Sequence, residues 1–88
     1  MILVVFSIKD IAADAFGRPF FVQTRALAVR SFSDEVNRKA DDNMMNKHPS
    51  DFALYEIGLF DDSKGTITSS QPELVMLANQ CVTQPTLL

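Results

Sequence analysis

The chain has 88 residues, of which 47 % are hydrophobic and 22 % are charged, and its formal net charge is −3. This length predicts one small domain, and the composition argues against a disordered chain and against a coiled coil. Cys81 is the only cysteine, so the chain cannot form an internal disulfide, and nothing in its cysteine content indicates an oxidising compartment.

The first predicted element is a strand over residues 2–9, in which apolar residues alternate on two faces. Val4 and Phe6 lie on one face, and Leu3 and Val5 lie on the other. The opening apolar run, residues 1–6, is far shorter than the roughly 20 residues that a membrane span requires. We therefore expect a buried strand, no membrane association and a cytoplasmic protein.

Residues 12–17 are predicted to form a loop that leads into a short edge strand. Because the residue before a proline avoids helical geometry, Arg18-Pro19 predicts an extended start to the segment Phe20-Phe21-Val22. An extended segment places consecutive side chains on opposite faces. One of the two phenylalanine rings is therefore expected in the core and the other at the surface, and the sequence leaves open which is which.

A helix is predicted next, with Thr24 as its N-cap and its end near Lys39. Its apolar residues are spaced so that they form one stripe along the helix. This stripe, which is expected to lie on the sheet, consists of Ala28, Val29, Phe32 and Val36.

The second half of the chain is predicted to be an irregular connection over residues 40–50 followed by a β-hairpin. A strand spans residues 52–60, and the Asp- and Ser-containing turn at residues 61–65 ends at Gly65, which tolerates positive φ. Strict alternation places Phe52, Leu54 and Phe60 on one face of this strand. Tyr55, Ile57 and Leu59 then lie on the other face. Residues 72–80 are compatible with a short C-terminal helix or with a strand.

Together these elements predict an α+β fold, with a small antiparallel-leaning sheet of three or four strands and one main helix packed on one face. Residues 1–80 form the domain, and residues 81–88 are expected to be a flexible tail. One helix cannot cover both apolar faces of the sheet. The second face must meet either the C-terminal segment or another subunit, which predicts an oligomer interface that contains Leu3, Val5, Tyr55, Ile57 and Leu59.

The sequence contains no set of residues typical of a catalytic or metal site. His48 and Cys81 are the only histidine and cysteine, so a zinc site would need carboxylates for its remaining ligands. The acidic turn at residues 61–65 lacks the spaced ligands and the closing glutamate of a calcium loop. Glycines are too scattered for a phosphate-binding loop. We therefore expect no metal, no cofactor and no enzymatic activity.

The basic residues are concentrated in the first half of the chain. Residues 1–39 carry a net charge of +2 and residues 40–88 carry −5. Proteins that bind single-stranded DNA combine cations for the phosphates with aromatic rings on which bases stack. The candidate DNA-binding residues on this basis are Lys9, Arg18, Phe20, Phe21, Arg25 and Arg30. The alternative is a hydrophobic edge strand with solvated neighbours, and the acidic second half argues against DNA binding.

An ordered set of short motifs extends over about residues 5–67. They are Phe6-Ser-Ile-Lys-Asp10, Ala15-Phe-Gly-Arg-Pro-Phe20, Ala28-Val-Arg-Ser-Phe32 with Val36-Asn37, His48-Pro-Ser-Asp-Phe52, Leu54-Tyr-Glu-Ile-Gly58 and Phe60-Asp61. In this order the motifs resemble the small nonstructural protein of gokushovirus-type microviruses, which are phages with single-stranded DNA genomes. After Ser69 the similarity consists only of a proline and a short apolar run.

The resemblance implies a non-enzymatic early protein that is made in the host bacterial cytoplasm and is absent from the finished capsid. Proteins of this kind are described as DNA-binding, or are compared with a factor that switches genome replication to single-strand synthesis and packaging. The basic motif positions are Lys9, Arg18 and Arg30. The leading expectation is an oligomeric accessory protein that binds single-stranded DNA. The alternative is an adaptor that binds only protein, either a phage or a host replication or assembly factor, through the second face of the sheet.

Overall fold

The computed structural model describes residues 1–83, which form a mixed α and β structure with one antiparallel sheet. The elements in chain order are β1 (Ile2–Asp10), β2 (Ala15–Phe16), β3 (Phe20–Val22), α1 (Arg25–Asn37), α2 (Met44–Lys47), β4 (Phe52–Asp61) and β5 (Thr66–Leu77). Single 3₁₀ turns at Pro49–Asp51 and Ala78–Gln80 flank the hairpin formed by β4 and β5. The predicted fold class is confirmed.

The sheet is built around β1 and β4, which pair along their whole lengths. β5 pairs with the other edge of β4, and both β2 and β3 pair with the other edge of β1. The sheet therefore has five strands when the two-residue β2 is counted. β2 lies within the segment 12–17 that the sequence predicted to be a loop.

The main core lies between the sheet and α1. Thr24 caps the helix as predicted, since its hydroxyl accepts a hydrogen bond from the backbone N–H of Leu27 at 3.2 Å. The fully buried side chains of this core are Phe6, Ala28, Phe32, Val36, Leu54 and Ala78. Burying one large apolar side chain contributes about 1.5 to 3 kcal/mol to folding, so this cluster supplies much of the stability of the domain. We call this side of the sheet the helix face and the other side the open face.

The C-terminal end of α1 is held by asparagine side chains from three positions. Asn43 is buried, and its Nδ2 donates to the carbonyl oxygens of Glu35 and Arg38, both at 2.8 Å, while its Oδ1 accepts from the N–H of Met45 at 3.2 Å. Asn46 donates to the carbonyl of Val36 at 3.0 Å. These bonds satisfy carbonyl groups that every helix leaves unpaired at its end. The segment predicted to be an irregular connection thus contains α2 and is anchored to α1.

The third asparagine joins α1 to the end of the described chain. Asn37 donates to the carbonyl of Cys81 at 2.9 Å and accepts from the N–H of Thr83 at 2.9 Å. Residues 81–83 are the start of the segment predicted to be a flexible tail. The rest of that predicted tail, residues 84–88, lies outside the described residues.

For residues 72–80, the strand alternative is correct as far as Leu77, and the predicted helix is wrong. Four residues of this segment pair with β4 and continue the ladder along its outer edge. They are Glu73, Leu74, Met76 and Leu77. Pro72 is compatible with the strand because it lies in an irregularity of the ladder, where the missing N–H costs no ladder hydrogen bond. Only Ala78–Gln80 is helical, as a single 3₁₀ turn.

The predicted assignment of β4 side chains to faces is wrong beyond Glu56. Val5 pairs with Gly58 and Phe6 with Glu56, so Ile57 is an extra residue with no partner on β1. A bulge of one residue moves every later side chain to the opposite face. Leu59 therefore lies on the helix face with Leu54, and Phe60 lies on the open face with Tyr55.

Gly58 follows the bulge, at a position where β4 and β5 approach closely. A Cβ atom at Gly58 would lie 2.5 Å from the carbonyl oxygen of Thr68, which is backbone and cannot rotate away. We expect Gly58→Ala to destabilise the domain by about 2 kcal/mol or more, because the strands must separate to relieve the overlap.

The matched control is Gly65→Ala in the hairpin turn. Gly65 has a φ of 66° and no atom near its would-be Cβ, so alanine there costs only the left-handed backbone strain, about 1 kcal/mol. Urea unfolding of the two variants measures the difference. Equal destabilisation would show that the close approach of Gly58 to Thr68 is unimportant.

Asn43→Ala removes a buried side chain and the three hydrogen bonds that it makes at the end of α1. We expect a loss of about 2 to 3 kcal/mol in the free energy of unfolding. Asn46→Ala removes one bond from the same helix end and should cost about 1 kcal/mol. Thermal unfolding followed by circular dichroism tests this order, and a larger effect of Asn46→Ala would contradict it.

Candidate nucleic-acid interface

The open face of the sheet carries most of the exposed aromatic side chains. In an antiparallel ladder, directly paired residues project to the same side, so the pairing registers define this face. Its residues are Leu3, Val5, Ser7 and Lys9 of β1, Phe16 of β2, Phe21 of β3, Ala53, Tyr55, Gly58 and Phe60 of β4, and Ile67, Ser69, Leu74 and Leu77 of β5. The helical segments of residues 1–83 contribute their buried side chains to the helix face instead.

Two aromatic pairs lie on the open face. Phe16 contacts Tyr55 and Phe21 contacts Phe60, each with ring centroids 5.3 Å apart in an edge-to-face arrangement. Phe16 and Phe21 remain 44 % and 43 % exposed. Phe16 is paired with Lys9 of β1 and Phe21 with Val5 of β1. These two β1 positions are four residues, or about 13 Å, apart. The face therefore presents two partly exposed ring clusters that are held in place by neighbouring rings.

Lys9 places a positive charge beside one of these pairs. Its Nζ lies 5.4 Å from the ring centroid of Phe16 and 6.0 Å from that of Tyr55, within range of a cation–π interaction. The same Nζ forms an ion pair with the carboxylate of Asp14 at 3.0 Å. The Lys9 side chain is 24 % exposed and that of Asp14 is 86 % exposed, so a phosphate would compete with one exposed carboxylate for this ammonium group.

The position of Phe16 depends on a compact turn after β1. The side chain of Asp10 accepts a hydrogen bond from the N–H of Ala13 at 3.1 Å, and Asp14 adopts a left-handed φ of 53°. The chain then returns along β1, where the N–H of Gly17 donates to the carbonyl of Ile8 at 2.8 Å. The buried hydroxyl of Ser7 donates to the carbonyl of Gly17 at 2.8 Å, which fixes the loop against the open face.

The structure does not bring the six predicted DNA-binding residues together on one surface. Lys9 and Phe21 share the open face. Phe20 lies on the helix face, where its ring packs against Phe6 with centroids 6.0 Å apart. Of the two adjacent phenylalanines, Phe21 is therefore the exposed one. Arg30 is exposed on α1, on the other side of the sheet from Phe21.

Arg25 is engaged in ion pairs within the chain. Its guanidinium donates to Glu56 at 2.8 and 3.2 Å and to Glu73 at 2.9 Å. Hydrogen bonds to Glu56 and then to Glu73 raise the pKa of Arg25 above its usual range. The interaction connects the start of α1 to both strands of the hairpin, so a phosphate would have to compete with two carboxylates.

Arg18 lies in the loop between β2 and β3. It lines an open pocket of 390 Å³ beside α2 together with Asp10, Phe16, Met45 and Phe52. Among residues 1–83, the ion pairs leave the guanidinium groups of Arg18 and Arg30 without a carboxylate partner. Because Asp10, Met45 and Phe52 belong to the helix side of the sheet, the pocket that Arg18 lines opens on that side, next to Phe16, and not on the open face.

Because of the bulge, the residues of the predicted oligomer interface do not all lie on the same face of the sheet. Leu3, Val5 and Tyr55 lie on the open face as expected, but Val5 is only 4 % exposed and offers little surface to a partner. Leu59 lies on the helix face, near the outer half of the hairpin, and is 44 % exposed. Ile57 is the bulge residue. Strict alternation misassigned Leu59 because it assumes a ladder without inserted residues.

Sequence reasoning missed Phe16 and Phe60 as members of this surface. Phe16 was assigned to a loop, although the Gly17-Arg18-Pro19 sequence after it is typical of a chain that changes direction beside a strand. Phe60 was assigned to the helix face. The Glu56-Ile57-Gly58 sequence contained one signal, since glycine within a strand often marks a bulge or a close backbone contact.

Cys81 is half-buried, and the possible metal ligands among residues 1–83 are scattered. Burial raises the pKa of the Cys81 thiol, which lies 3.1 Å from the sulfur of Met76. Within residues 1–83, no three His, Cys, Asp or Glu side chains are grouped so that they could hold a metal ion. No helix in this part of the chain is long and apolar enough to cross a membrane.

Residues 3–81 match the model of the Phage ORF5 protein family. This match covers nearly the whole chain. The chain belongs to the Phage ORF5 protein family. Comparisons with curated proteins and with solved structures found no match. The ORF5 family match includes both helices, β2 to β5 and all of β1 except Ile2, so the open face with its aromatic pairs lies within the matched region.

Ser7→Ala removes the hydrogen bond that fixes the β2 loop against the open face. We expect a loss of about 1 to 2 kcal/mol in the free energy of unfolding, because the buried hydroxyl of Ser7 is lost together with its hydrogen bond to the carbonyl of Gly17. Hydrogen exchange at the Gly17 amide should also become faster. Ser31→Ala, at an exposed position on α1, is the control and should leave both measurements unchanged; unchanged exchange at Gly17 in Ser7→Ala would refute this role of Ser7.

Proposed function

We propose that the protein is a non-enzymatic phage accessory protein that acts as an oligomer and binds single-stranded DNA during genome replication or the switch to packaging. The membership in a phage family supports a viral role in the host bacterial cytoplasm. The motif resemblance described above supports a gokushovirus-type microvirus as the source. DNA binding itself is supported by the chemistry of the open face.

The observation that carries the proposal is the combination of exposed rings with an adjacent ammonium group. Phe16 and Phe21 are partly exposed beside their aromatic partners, and the Lys9 Nζ lies next to one of these pairs. Every nucleobase has a π-face that can stack on such rings, so this surface would bind single strands without requiring a defined sequence. A strand that crosses the open face would meet Lys9, with Arg18 in the neighbouring pocket on the helix side of Phe16, but it would not reach Arg30 on α1.

The charge of the protein limits the affinity expected. The chain is acidic overall; Lys9 lies on the open face, where it is paired with Asp14, and Arg18 lines the neighbouring pocket on the helix side of Phe16. Each phosphate contact on single-stranded DNA contributes about −0.7 to the slope of log affinity against log salt, so two contacts predict a slope of about −1.4. We therefore expect weak binding that is lost at moderate salt.

A titration of a fluorescently labelled oligothymidylate at several salt concentrations tests the proposal. Phe21→Ala should weaken binding by about fivefold to a hundredfold with little change in the salt slope, because it removes one stacking contact. Lys9→Ala should weaken binding and reduce the slope by about 0.7, because it removes one phosphate contact. Leu27→Ala and Arg30→Ala, which alter exposed apolar and basic residues on α1, are the matched controls and should bind as the parent does.

Two results would refute DNA binding at this surface. The first is no binding at low salt with tens of micromolar protein. The second is binding that Arg30→Ala weakens while Phe21→Ala and Lys9→Ala leave it unchanged, since the DNA would then lie on the helix side. Circular dichroism of each variant separates a lost contact from a lost fold.

The second candidate is an adaptor that binds a phage or host replication or assembly protein through the same face. It is favoured by the aliphatic part of the open face, where Ile67 and Leu74 are 61 % and 49 % exposed. An apolar protein contact should tolerate Lys9→Ala and Arg18→Ala and should be weakened by Phe21→Ala. The adaptor also predicts no salt-dependent affinity for the oligonucleotide.

A further inference from the structure

The two edges of the sheet differ in how far they are protected from pairing with another strand. On the β1 side, the edge is divided into β2 and β3, which have two and three residues and are separated by Pro19. Short edge strands and prolines are devices by which proteins prevent unwanted strand pairing. On the other side, β5 spans twelve residues, and within residues 1–83 it pairs only with β4.

The first part of β5 lacks every feature that normally blocks an edge. Residues 66–71 have the sequence Thr-Ile-Thr-Ser-Ser-Gln, with no charge and no proline, and all six residues are exposed. The next residue, Pro72, and the irregular pairing between Ser69 and Glu73 interrupt the strand. The unprotected edge is therefore the four-residue segment Thr66–Ser69, which lies in regular register with β4.

We propose that this edge pairs with the same edge of a second copy of the chain, in an antiparallel two-fold dimer centred near Thr68. This inference rests on the oligomeric part of the proposed function and assigns its interface. The segment is compatible with its own reversal: with Thr68 at the centre, Thr68 faces Thr68 and Ile67 faces Ser69, so no like charges meet and the threonine hydroxyls can form cross-strand hydrogen bonds. The basic Lys64 precedes the segment and the acidic Glu73, which binds Arg25 of its own chain, follows it, so reversal places opposite charges at the two ends of the pairing.

The dimer would extend the candidate DNA-binding surface. A two-fold axis perpendicular to the sheet keeps the open faces of both copies on the same side. Ile67, which is directly paired with Phe60 on the open face, would then lie beside the equivalent edge of the second copy. The aromatic clusters of the two copies would form one continuous surface, longer than a single chain provides.

Pairing of about four residues per copy buries less surface than a stable interface requires. Interfaces below about 1,200 Å² are typically weak or transient. We therefore expect a reversible dimer whose population rises with concentration over the micromolar to millimolar range, as measured by sedimentation equilibrium in the absence of DNA.

Charge reversal at Thr68 tests the interface directly. Thr68→Lys and Thr68→Glu each place two like charges opposite one another at the centre of the dimer, so each should raise the dissociation constant at least about tenfold. Mixing the two variants should restore dimerisation, because the opposite charges then face one another. Ser31→Lys and Ser31→Glu introduce the same charges on the exposed side of α1 and should dimerise as the parent does.

Several outcomes would overturn the inference. A parent protein that stays monomeric to millimolar concentration has no such interface. A dimer that Thr68→Lys leaves intact and Phe21→Ala dissociates uses the open face instead. The result is separable from the proposed DNA binding: a monomer that binds the oligonucleotide overturns only the edge pairing, and a dimer that fails to bind it overturns only the DNA function.

Discussion

The inserted residue at Ile57 is the constraint on which the arrangement of the sheet depends. It shifts the register between β1 and β4, so Leu54 before it and Leu59 after it share the helix face. It also moves Phe60 to the open face, where that ring contacts Phe21. Without the bulge, Phe60 would lie on the helix side and Phe21 would have no aromatic partner. The close approach at Gly58 belongs to the same local distortion, because only a residue without Cβ fits beside the carbonyl of Thr68.

Polar and ionic contacts then attach the helix to this sheet at both ends. At its start, Arg25 binds Glu56 and Glu73 on the two strands of the hairpin. At its end, Asn43 and Asn37 bind carbonyl groups of α1 and of the following segments. Between these ends, the apolar stripe of α1 covers Phe6 and Leu54. The single main helix is thus committed to one side of the sheet, and the aromatic pairs on the other side stay accessible.

This division has a functional consequence for the basic residues. Those near the helix face are either engaged with carboxylates, as Arg25 is, or directed away from the aromatic rings, as Arg30 is. Lys9, which is paired with the exposed carboxylate of Asp14, lies on the open face beside Phe16, and Arg18 lines the pocket on the helix side of the same ring. The single-stranded DNA binding that we propose for the open face would therefore depend more on base stacking than on charge.

Local sequence patterns determined the helix, the first strand and the hairpin, because caps, turn residues and apolar periodicity act over a few neighbouring positions. The structure confirms three of these local predictions: Thr24 caps the helix, the stripe from Ala28 to Val36 packs on the sheet, and Gly65 adopts a positive φ in the hairpin turn. Only the tertiary structure decided which side chains share a surface. The bulge at Ile57 reverses the alternation of later residues, and β2 becomes a strand only by pairing with Lys9 and Asp10 of β1. The bulge and the pairing of β2 both depend on the register between segments that are distant in the sequence. The periodicity within one segment carries no information about that register.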